Sequence, residues 1–317
     1  MKNKISLILS TYKSEAYLRL FMDSILAQSA PDEIELITVL NDAGETEKEI
    51  ISEYAGRFKS GLKVLFVERE TLYCSWNRAI REATGNYIGI ANADDIRTPE
   101  SINLQLRALE SSPEALFCYG TFTIVRKFPS NKGKIIIPMD YDREEFTRSM
   151  ILGPFFIWRA DRGTSARLYF DEQFKSGGDF DFAIRLALCG PGVRVKENLG
   201  YYYDGGGGLS TDGIIQPTER TVIDLRYGIF DKILYDYLPE ALKYDTQHLL
   251  IAGVWRDAGE FVPDYDNFIN NRRQKWFEKG IRNHCRKKNR LLSMPLQAKQ
   301  YAISMWSKIN NRGAVFK

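Results

Sequence analysis

Histidine is almost missing from this 317-residue chain, which carries only His248 and His284. A histidine-rich zinc site is thereby nearly excluded. Cysteine is scarce too: Cys74, Cys118, Cys189 and Cys285 stand at no metal-ligand or redox spacing. No disulfide framework is expected, and a reducing cytoplasm is the plain reading. No apolar run approaches the ~20 residues that a bilayer-spanning helix needs. The apolar stretch 5–9 is too short for a signal-peptide core and runs straight into Ser10-Thr11-Tyr12, so it reads as a strand. A net positive balance is lacking before residue 268, where 31 Lys and Arg stand against 40 acids, and is concentrated at the end. Residues 268–317 hold 13 Lys and Arg against one acid, Glu278, although the net charge of the whole is only +3. A basic tail on an acidic body suggests an anionic partner surface, membrane or nucleic acid.

What is present is a soluble-protein composition, long enough for one large α/β domain with an appendage. Short apolar runs alternate with helical patterns. Strands are expected over about 5–10, 35–40, 63–67, 87–91 and 116–125, the last kinked at Gly120. Helices are expected over about 15–28, 46–58 and 75–84, with another starting at Pro99. Strand–helix–strand alternation argues for a parallel sheet with helices on both faces. Right-handed crossovers place the loops after the strands on one sheet edge, where such sheets bind ligands. Ser10-Thr11-Tyr12, Asn41-Asp42 and Asn92-Ala93-Asp94-Asp95 all fall in those loops. Residues 219–259 read as helical, and the basic stretch follows. The expected division is a catalytic domain over 1–215, a helical extension over 216–267 and a basic amphipathic tail over 268–317.

Two features carry candidate chemistry. Adjacent carboxylates such as Asp94 and Asp95 repel each other unless a cation compensates. A hard divalent ion, Mn2+ or Mg2+, takes one or two carboxylates and completes its shell with phosphate oxygens and water. The same pair also reads as a solvated turn before a helix. In Gly178-Asp179-Phe180-Asp181, Asp179 is placed either as a helix cap or as a general base. Trp158-Arg159 suits stacking and charge contacts with an acceptor, and equally suits a core Trp beside a surface Arg. Gly205 to Gly208 reads as a flexible lid or a plain linker. Ser75 or Asn77 is a candidate cap for the third helix.

In order, these segments resemble those of family 2 glycosyltransferases of the GT-A fold. Ser10-Thr11-Tyr12 resembles the family's P-T-Y-N start, and Asn41-Asp42-Ala43-Gly44 its D-D-G-S. Trp76-Asn77-Arg78-Ala79-Ile80 and Ala83-Thr84-Gly85-Asn86-Tyr87-Ile88 resemble R-N-x-G-I and A-x-G-x-Y-I. Asn92-Ala93-Asp94-Asp95 resembles D-A-D-D. Tyr169-Phe170-Asp171-Glu172-Gln173-Phe174 and Gly178-Asp179-Phe180-Asp181 resemble F-D-E-x-F and E-D-Y-D. The likeness covers about residues 4 to 211.

The resemblance implies a mostly parallel Rossmann-like sheet with helices on both faces, here with a C-terminal helical extension. It implies an inverting transfer of sugar from a nucleotide-sugar, UDP-linked, to a hydroxyl of a glycan or lipid-linked glycan in cell-surface polymer synthesis. Ser10, Thr11, Tyr12, Asn41, Asp42, Trp76, Asn77, Asn92 and Ala93 become donor-site candidates. Asp94 and Asp95 become candidate ligands of a divalent cation, Asp179 the base, and Trp158, Arg159 and Asp181 the acceptor side, Asp181 being read also as a structural residue that faces its helix. The chain departs from the pattern at Lys13 for Asn, Trp76 for Arg, Asn92 for Asp and Gly178 for Glu. It has no histidine over 203–210, where Asp204 is the only acid. Asn-x-Asp-Asp together with the 73–77 segment and Gly153-Pro154 resembles a variant group within the family.

Other readings use the same residues. A nucleotidyltransferase would need a Gly-rich, Lys-bearing loop after the first strand, and 10–15 contain no glycine. A non-catalytic nucleotide-sugar-binding protein fits the two lost acids. A glycosyltransferase acting on nucleic acid would use the basic tail. An amphipathic basic tail also fits attachment to the inner face of the cell membrane by a cytoplasmic protein.

Overall fold

The computed structural model describes residues 4–59, 61–128, 132–160, 168–205 and 213–286. The chain divides into two compact units, residues 1–266 and 267–317. The first unit opens with β1 (Ile5–Thr11), α1 (Glu15–Leu26), β2 (Ile34–Asn41), α2 (Glu45–Tyr54), β3 (Leu62–Val67), α3 (Leu72–Glu82) and β4 (Tyr87–Asn92). β2 pairs in parallel with β1 and β3, and β1 pairs in parallel with β4. Strands buried on both faces need continuous apolar runs. Ile5, Leu7, Ile8 and Leu9 are fully buried, as are Leu36, Ile37 and Val39. Gly85 sits where the chain enters β4 against the start of β1. A Cβ there would lie 2.5 Å from the backbone nitrogen of Ser6, so only glycine permits this approach.

The chain continues through β5 (Ile96–Arg97), α4 (Ser101–Ser111), β6 (Phe117–Val125), β7 (Lys134–Ile136), α5 (Arg143–Phe146), β8 (Ile157–Arg159), α6 (Gly178–Cys189) and β9 (Gly192–Tyr203). The sheet order is β3-β2-β1-β4-β8-β6-β9-β5, with β7 on β6. β8 is antiparallel to both β4 and β6, so β6 and β9 point the same way as β4. The expected kink in β6 is present as a register shift at Gly120 and Thr121. The molecule is thus an α/β protein with a mostly parallel sheet flanked by helices.

Three local expectations change. The third helix starts at Leu72, not near Ser75, because the Thr71 hydroxyl accepts from the Cys74 N–H at 3.3 Å and caps it. The helix after Pro99 begins at Ser101. The stretch 219–259 is not continuously helical. α7 (Ile215–Arg226) stops just before Gly228, which adopts φ +68° and ends the helix as a left-handed glycine does. After α8 (Leu238–Ala241) the chain forms a hairpin of β10 (His248–Ile251) and β11 (Val254–Asp257). Its two-residue turn, Ala252 and Gly253, has positive φ at both positions, as the tight hairpin turn requires. α9 (Tyr265–Arg286) then leads into the second unit. The lid reading of 205–208 falls, beyond Gly205, outside the described residues, as does the tail from 287 onward.

Candidate active site

The loops after β1, β2, β3 and β4 converge on one edge of the sheet, and side chains bind them together. Glu47 of α2 accepts from the Ser14 N–H at 3.0 Å and the Gly44 N–H at 3.3 Å, joining the loops after β1 and β2. Asn41 is buried at the end of β2. Its amide donates to the Glu70 carbonyl at 2.9 Å and to Ser75 Oγ at 3.2 Å, and its oxygen accepts the Glu70 N–H at 3.0 Å. Asn41 therefore ties the β2 end to the loop before α3, and its polar atoms are committed to that role.

The remaining donor-site candidates separate by exposure. Tyr12 is 37% exposed, Asp42 is exposed in a left-handed conformation, and Ser10 and Asn92 are partly exposed. The Arg69 guanidinium lies 3.5 Å from the Tyr12 ring centroid and Lys13 Nζ 5.1 Å from it, so positive charge gathers on this ring. Thr11, Trp76, Asn77 and Ala93 are buried. Trp76 packs against Tyr73 and Phe170, with ring centroids at 5.6 and 5.0 Å. The Asn77 amide donates to the Phe170 carbonyl at 2.8 Å and to Glu172 at 2.9 Å, and its oxygen accepts the Phe170 N–H at 2.7 Å. Trp76 and Asn77 thus hold the 170–174 segment onto α3 and do not line the cleft.

The Asn92–Asp95 turn separates its two acids by role. Asp95 is 4% exposed, and both its oxygens are engaged: Asn92 Nδ2 donates at 2.9 Å and the Tyr203 N–H at 3.1 Å. Burial, then the Asp94 charge, pushes its carboxyl up to about 8. Asp94 is half-buried and accepts only its own backbone N–H among the described residues; burial raises its carboxyl above the ordinary range. Tyr17 of α1 and Tyr203 of β9 face it as a hydrogen-bonded pair with ring centroids 5.3 Å apart. A single available carboxylate at a strand end fits a hard divalent ion whose other ligands are diphosphate oxygens and water. No group of three or more His, Cys, Asp or Glu forms an all-protein metal cage among the described residues.

Asp179 lies in the first turn of α6, half-buried. It is not the helix cap, since the chain enters α6 at Gly177 with no side-chain cap. Its Oδ1 accepts the Phe180 N–H at 2.8 Å. Burial pushes its carboxyl up to about 6; this N–H bond opposes the shift, and the Glu219 charge adds to it. The Tyr73 hydroxyl donates to the Ser176 carbonyl at 2.8 Å and accepts the Asp179 N–H at 3.3 Å. Because Tyr73 lies in the first turn of α3, which follows β3, this contact puts the head of α6 beside the loop that ends β3.

The three residues expected on the acceptor side are turned inward. Trp158 is fully buried, its ring 5.6 Å from Phe156 and 5.0 Å from Phe182. Arg159 Nε donates to the Ala115 carbonyl at 2.8 Å and Nη1 to the Tyr87 hydroxyl at 3.2 Å. The reason is packing: β8 is an interior strand between β4 and β6, and Phe182 of α6 packs on the face that carries Trp158. Asp181 is fully buried in an ion network. Arg185 Nε donates to it at 2.9 Å, Arg226 Nη1 at 2.7 Å and the Tyr227 hydroxyl at 2.9 Å. Burial would raise Asp181, but the two guanidiniums and these hydrogen bonds outweigh it and hold the carboxyl below its usual range. Arg226 also pairs with Asp171 at 2.8 Å, and Asp171 accepts the Leu250 N–H at 2.9 Å, which docks the hairpin. Tyr17, Arg69, Tyr203 and Glu219, to which the sequence assigns no role, and Tyr73, which it marks only as part of a variant segment, reach the site through partners distant in the chain.

The model of Glycosyl transferase family 2 matches residues 6–174. An uncharacterized glycosyltransferase of Methanocaldococcus jannaschii is 27% identical over 195 residues, 58% of this chain and 64% of that protein. The poly(ribitol-phosphate) beta-glucosyltransferase of Bacillus spizizenii is 24% identical over 207 residues, 63% of this chain and 32% of that protein. The chain thus matches less than two thirds of the length of these relatives. Among solved structures, S. aureus TarS 1-349 in complex with UDP-GlcNAc superposes with a TM-score of 0.60 at 19% identity, over 76% of this chain and 73% of that one. A mannosyltransferase from Pyrobaculum calidifontis in complex with GDP-Man and Mn2+ gives 0.50 at 12% identity, over 97% and 80%. These likenesses establish the fold.

Proposed function

Because the chain belongs to glycosyl transferase family 2, we propose that it moves one sugar from a UDP-sugar to an acceptor hydroxyl, with inversion, in the synthesis of a cell-surface glycan. The observation that supports this reading best is Asp179, a half-buried carboxyl pushed up to about 6 at the head of α6, beside the loop that ends β3. A general base is most effective when its pKa lies near the working pH. In this reading Asp179 takes the proton of the acceptor hydroxyl as the oxygen attacks the anomeric carbon. Tyr12 and Asp42 receive the nucleoside, with Arg69 adding charge beside Tyr12. Asp94 would hold a divalent cation, which would supply charge neutralisation for the departing diphosphate. Asn92 and Asp95 keep the turn in shape. Structural neighbours bound to UDP-GlcNAc and to GDP-Man with Mn2+ support a nucleotide-sugar donor and such a cation. Relatives named for poly(ribitol phosphate) support an anionic cell-surface polymer as acceptor. Residues 268–317 would hold the enzyme on the inner face of the membrane, near a lipid-linked acceptor.

The test is a thermal-shift screen of the purified chain against UDP-Glc, UDP-GlcNAc and GDP-Man, each with Mn2+, Mg2+ or chelator. A stabilising donor is then assayed for transfer to poly(ribitol phosphate). One nucleotide-sugar should stabilise the protein only when a divalent cation is present. Absence of stabilisation by every donor under every condition would remove the reading.

A further inference from the structure

The head of α6 is held between two helices. On one side Tyr73 of α3 fills the space beside Gly178, where an added Cβ would lie 2.7 Å from its ring. On the other side stands Glu219 of α7, fully buried. Its carboxylate accepts three successive backbone N–H groups: Lys175 at 2.8 Å, Ser176 at 2.8 Å and Gly177 at 2.6 Å. A Cβ on Gly177 would lie 3.1 Å from the Cβ of Glu219, so the turn and α7 approach closely. The Tyr244 hydroxyl donates to the same carboxylate at 3.3 Å. The turn so gripped carries the Gly177 carbonyl, which accepts the Phe180 and Asp181 N–H groups at 3.1 and 3.2 Å and starts α6.

We propose that Glu219 is the positioning residue of Asp179: it fixes the 175–177 turn that leads into α6, whose first turn carries Asp179, and sets a negative charge beside it. The inference rests on Asp179 being the base. It also accounts for Gly178, where the family pattern has glutamate. The Tyr73 ring leaves no room for a side chain there, and α7 supplies the carboxylate instead. A buried carboxylate bound by three N–H donors is strongly anchored, because charge-assisted bonds are the strong ones. A fixed negative charge disfavours ionisation of a neighbouring acid and so makes its conjugate base stronger. Among the described residues, the groups facing Asp179 are the Tyr73 hydroxyl from α3, Glu219 from α7 and the Phe180 N–H of its own helix. Arg220, next to Glu219, is directed elsewhere, over the Phe180 ring at 4.1 Å and onto Asp224 at 3.0 Å.

Two variants of the full chain separate the parts of this role. Glu219→Asp keeps the charge but is one methylene short of the amides. Glu219→Gln removes the charge. The Asp179 carboxyl is followed by 13C NMR titration of aspartate-labelled protein without ligand, its resonance assigned by its loss in Asp179→Asn. Turnover is followed as UDP release from UDP-GlcNAc with Mn2+ and poly(ribitol phosphate). Glu219→Gln should move the Asp179 titration and the acid limb of kcat to lower pH. Glu219→Asp should leave both in place while kcat falls ~10- to 10²-fold, the scale of a misplaced reacting group, with donor KM unchanged. If Glu219→Gln does not fold, Glu219→Asp carries the test alone, and an unaltered kcat in it overturns the proposal. An unmoved Asp179 titration in a folded Glu219→Gln overturns it as well. Normal turnover in Asp179→Asn removes the base assignment itself and the proposal with it, a result separate from the other two.

Discussion

The ring of Tyr73 lies where a side chain at position 178 would begin, its carbons 2.7 Å from a Cβ built on Gly178. The tyrosine cannot withdraw easily, since its hydroxyl bridges the Ser176 carbonyl and the Asp179 N–H. Gly178→Ala should therefore push the head of α6 away from α3. Overpacking of this kind costs ~1–3 kcal/mol. Chemical denaturation should show that loss, and much less of it in a Tyr73→Ala background. Additive effects of the two substitutions would mean that ring and glycine are not coupled.

Asp179→Asn should leave donor binding intact and lower turnover by ~10²-fold or more, the scale of a lost general base. The pH dependence has a definite sign. The base works only when ionised, and burial pushes its carboxyl up to about 6 in the folded protein. Wild-type kcat should thus fall as pH drops below about 6 and level off above it. Because the folded-state value is raised, the folded chain holds this proton more tightly than the unfolded one. Its stabilising effect is greatest at low pH and is lost as pH rises through about 6. Asp179→Asn should accordingly melt higher than wild type at pH 8 by calorimetry. An equal or lower melting temperature there would contradict the assigned titration.

The parallel half of the sheet was legible because β1, β2 and β4 are nearly unbroken apolar runs ending in polar loops. That pattern needs no knowledge of partners. β8 and the β10–β11 hairpin were not, because what makes them strands is pairing with segments far away in the chain. Trp158-Arg159 looked like an acceptor platform since an aromatic beside a cation has the same signature in a cleft and in a core. Only the insertion of β8 between β4 and β6 and the packing of Phe182 on Trp158 decide it. Glu219 left no trace in the sequence either. It acts on the backbone of residues 175–177, which any sequence supplies, and the sole hint was the missing acid at Gly178. The hairpin has a readable signal in Ala252-Gly253, and the helical period of the stretch 219–259 is interrupted after α7 and again after α8.

The buried network around Asp181 gives a prediction opposite to that for a cleft residue. Asp181 neutralises Arg185 and Arg226, both fully buried. Asp181→Ala leaves two guanidiniums without their shared partner, and breaking a buried pair in this way costs ~3–5 kcal/mol. The variant should lose stability in urea by about this amount. Normal stability with a raised acceptor KM would return Asp181 to the acceptor side.

The basic stretch 268–317 joins its charge to Trp276, Phe277, Leu291, Leu292, Met294, Tyr301 and Trp306. Each Lys or Arg near an anionic lipid surface contributes ~1 kcal/mol, and apolar burial adds to it. Flotation with anionic liposomes should carry the full chain upward and leave behind a version ending at Asn267. Equal behaviour of the two, or tighter binding to duplex DNA, would set the membrane role aside.

Asp94 and Asp95 are neighbours with different surroundings, and their substitution should divide binding from stability. Among the described residues no other residue donates a hydrogen bond to the Asp94 carboxylate. Asp95 instead receives Asn92 Nδ2 and the Tyr203 N–H, and so ties the β4 loop to β9. Asp94→Ala should abolish cation-dependent binding of the nucleotide-sugar in titration calorimetry while the melting temperature without ligand stays near wild type. Asp95→Ala leaves the part-buried Tyr203 N–H and Asn92 amide without their acceptor. A fully buried orphaned donor costs ~1–3 kcal/mol; these part-buried donors cost less each, and the melting temperature should fall in proportion. If Asp94→Ala binds donor and cation normally while Asp95→Ala does not, the two assignments are interchanged. If neither variant alters cation-dependent binding, the cation is held elsewhere on the chain.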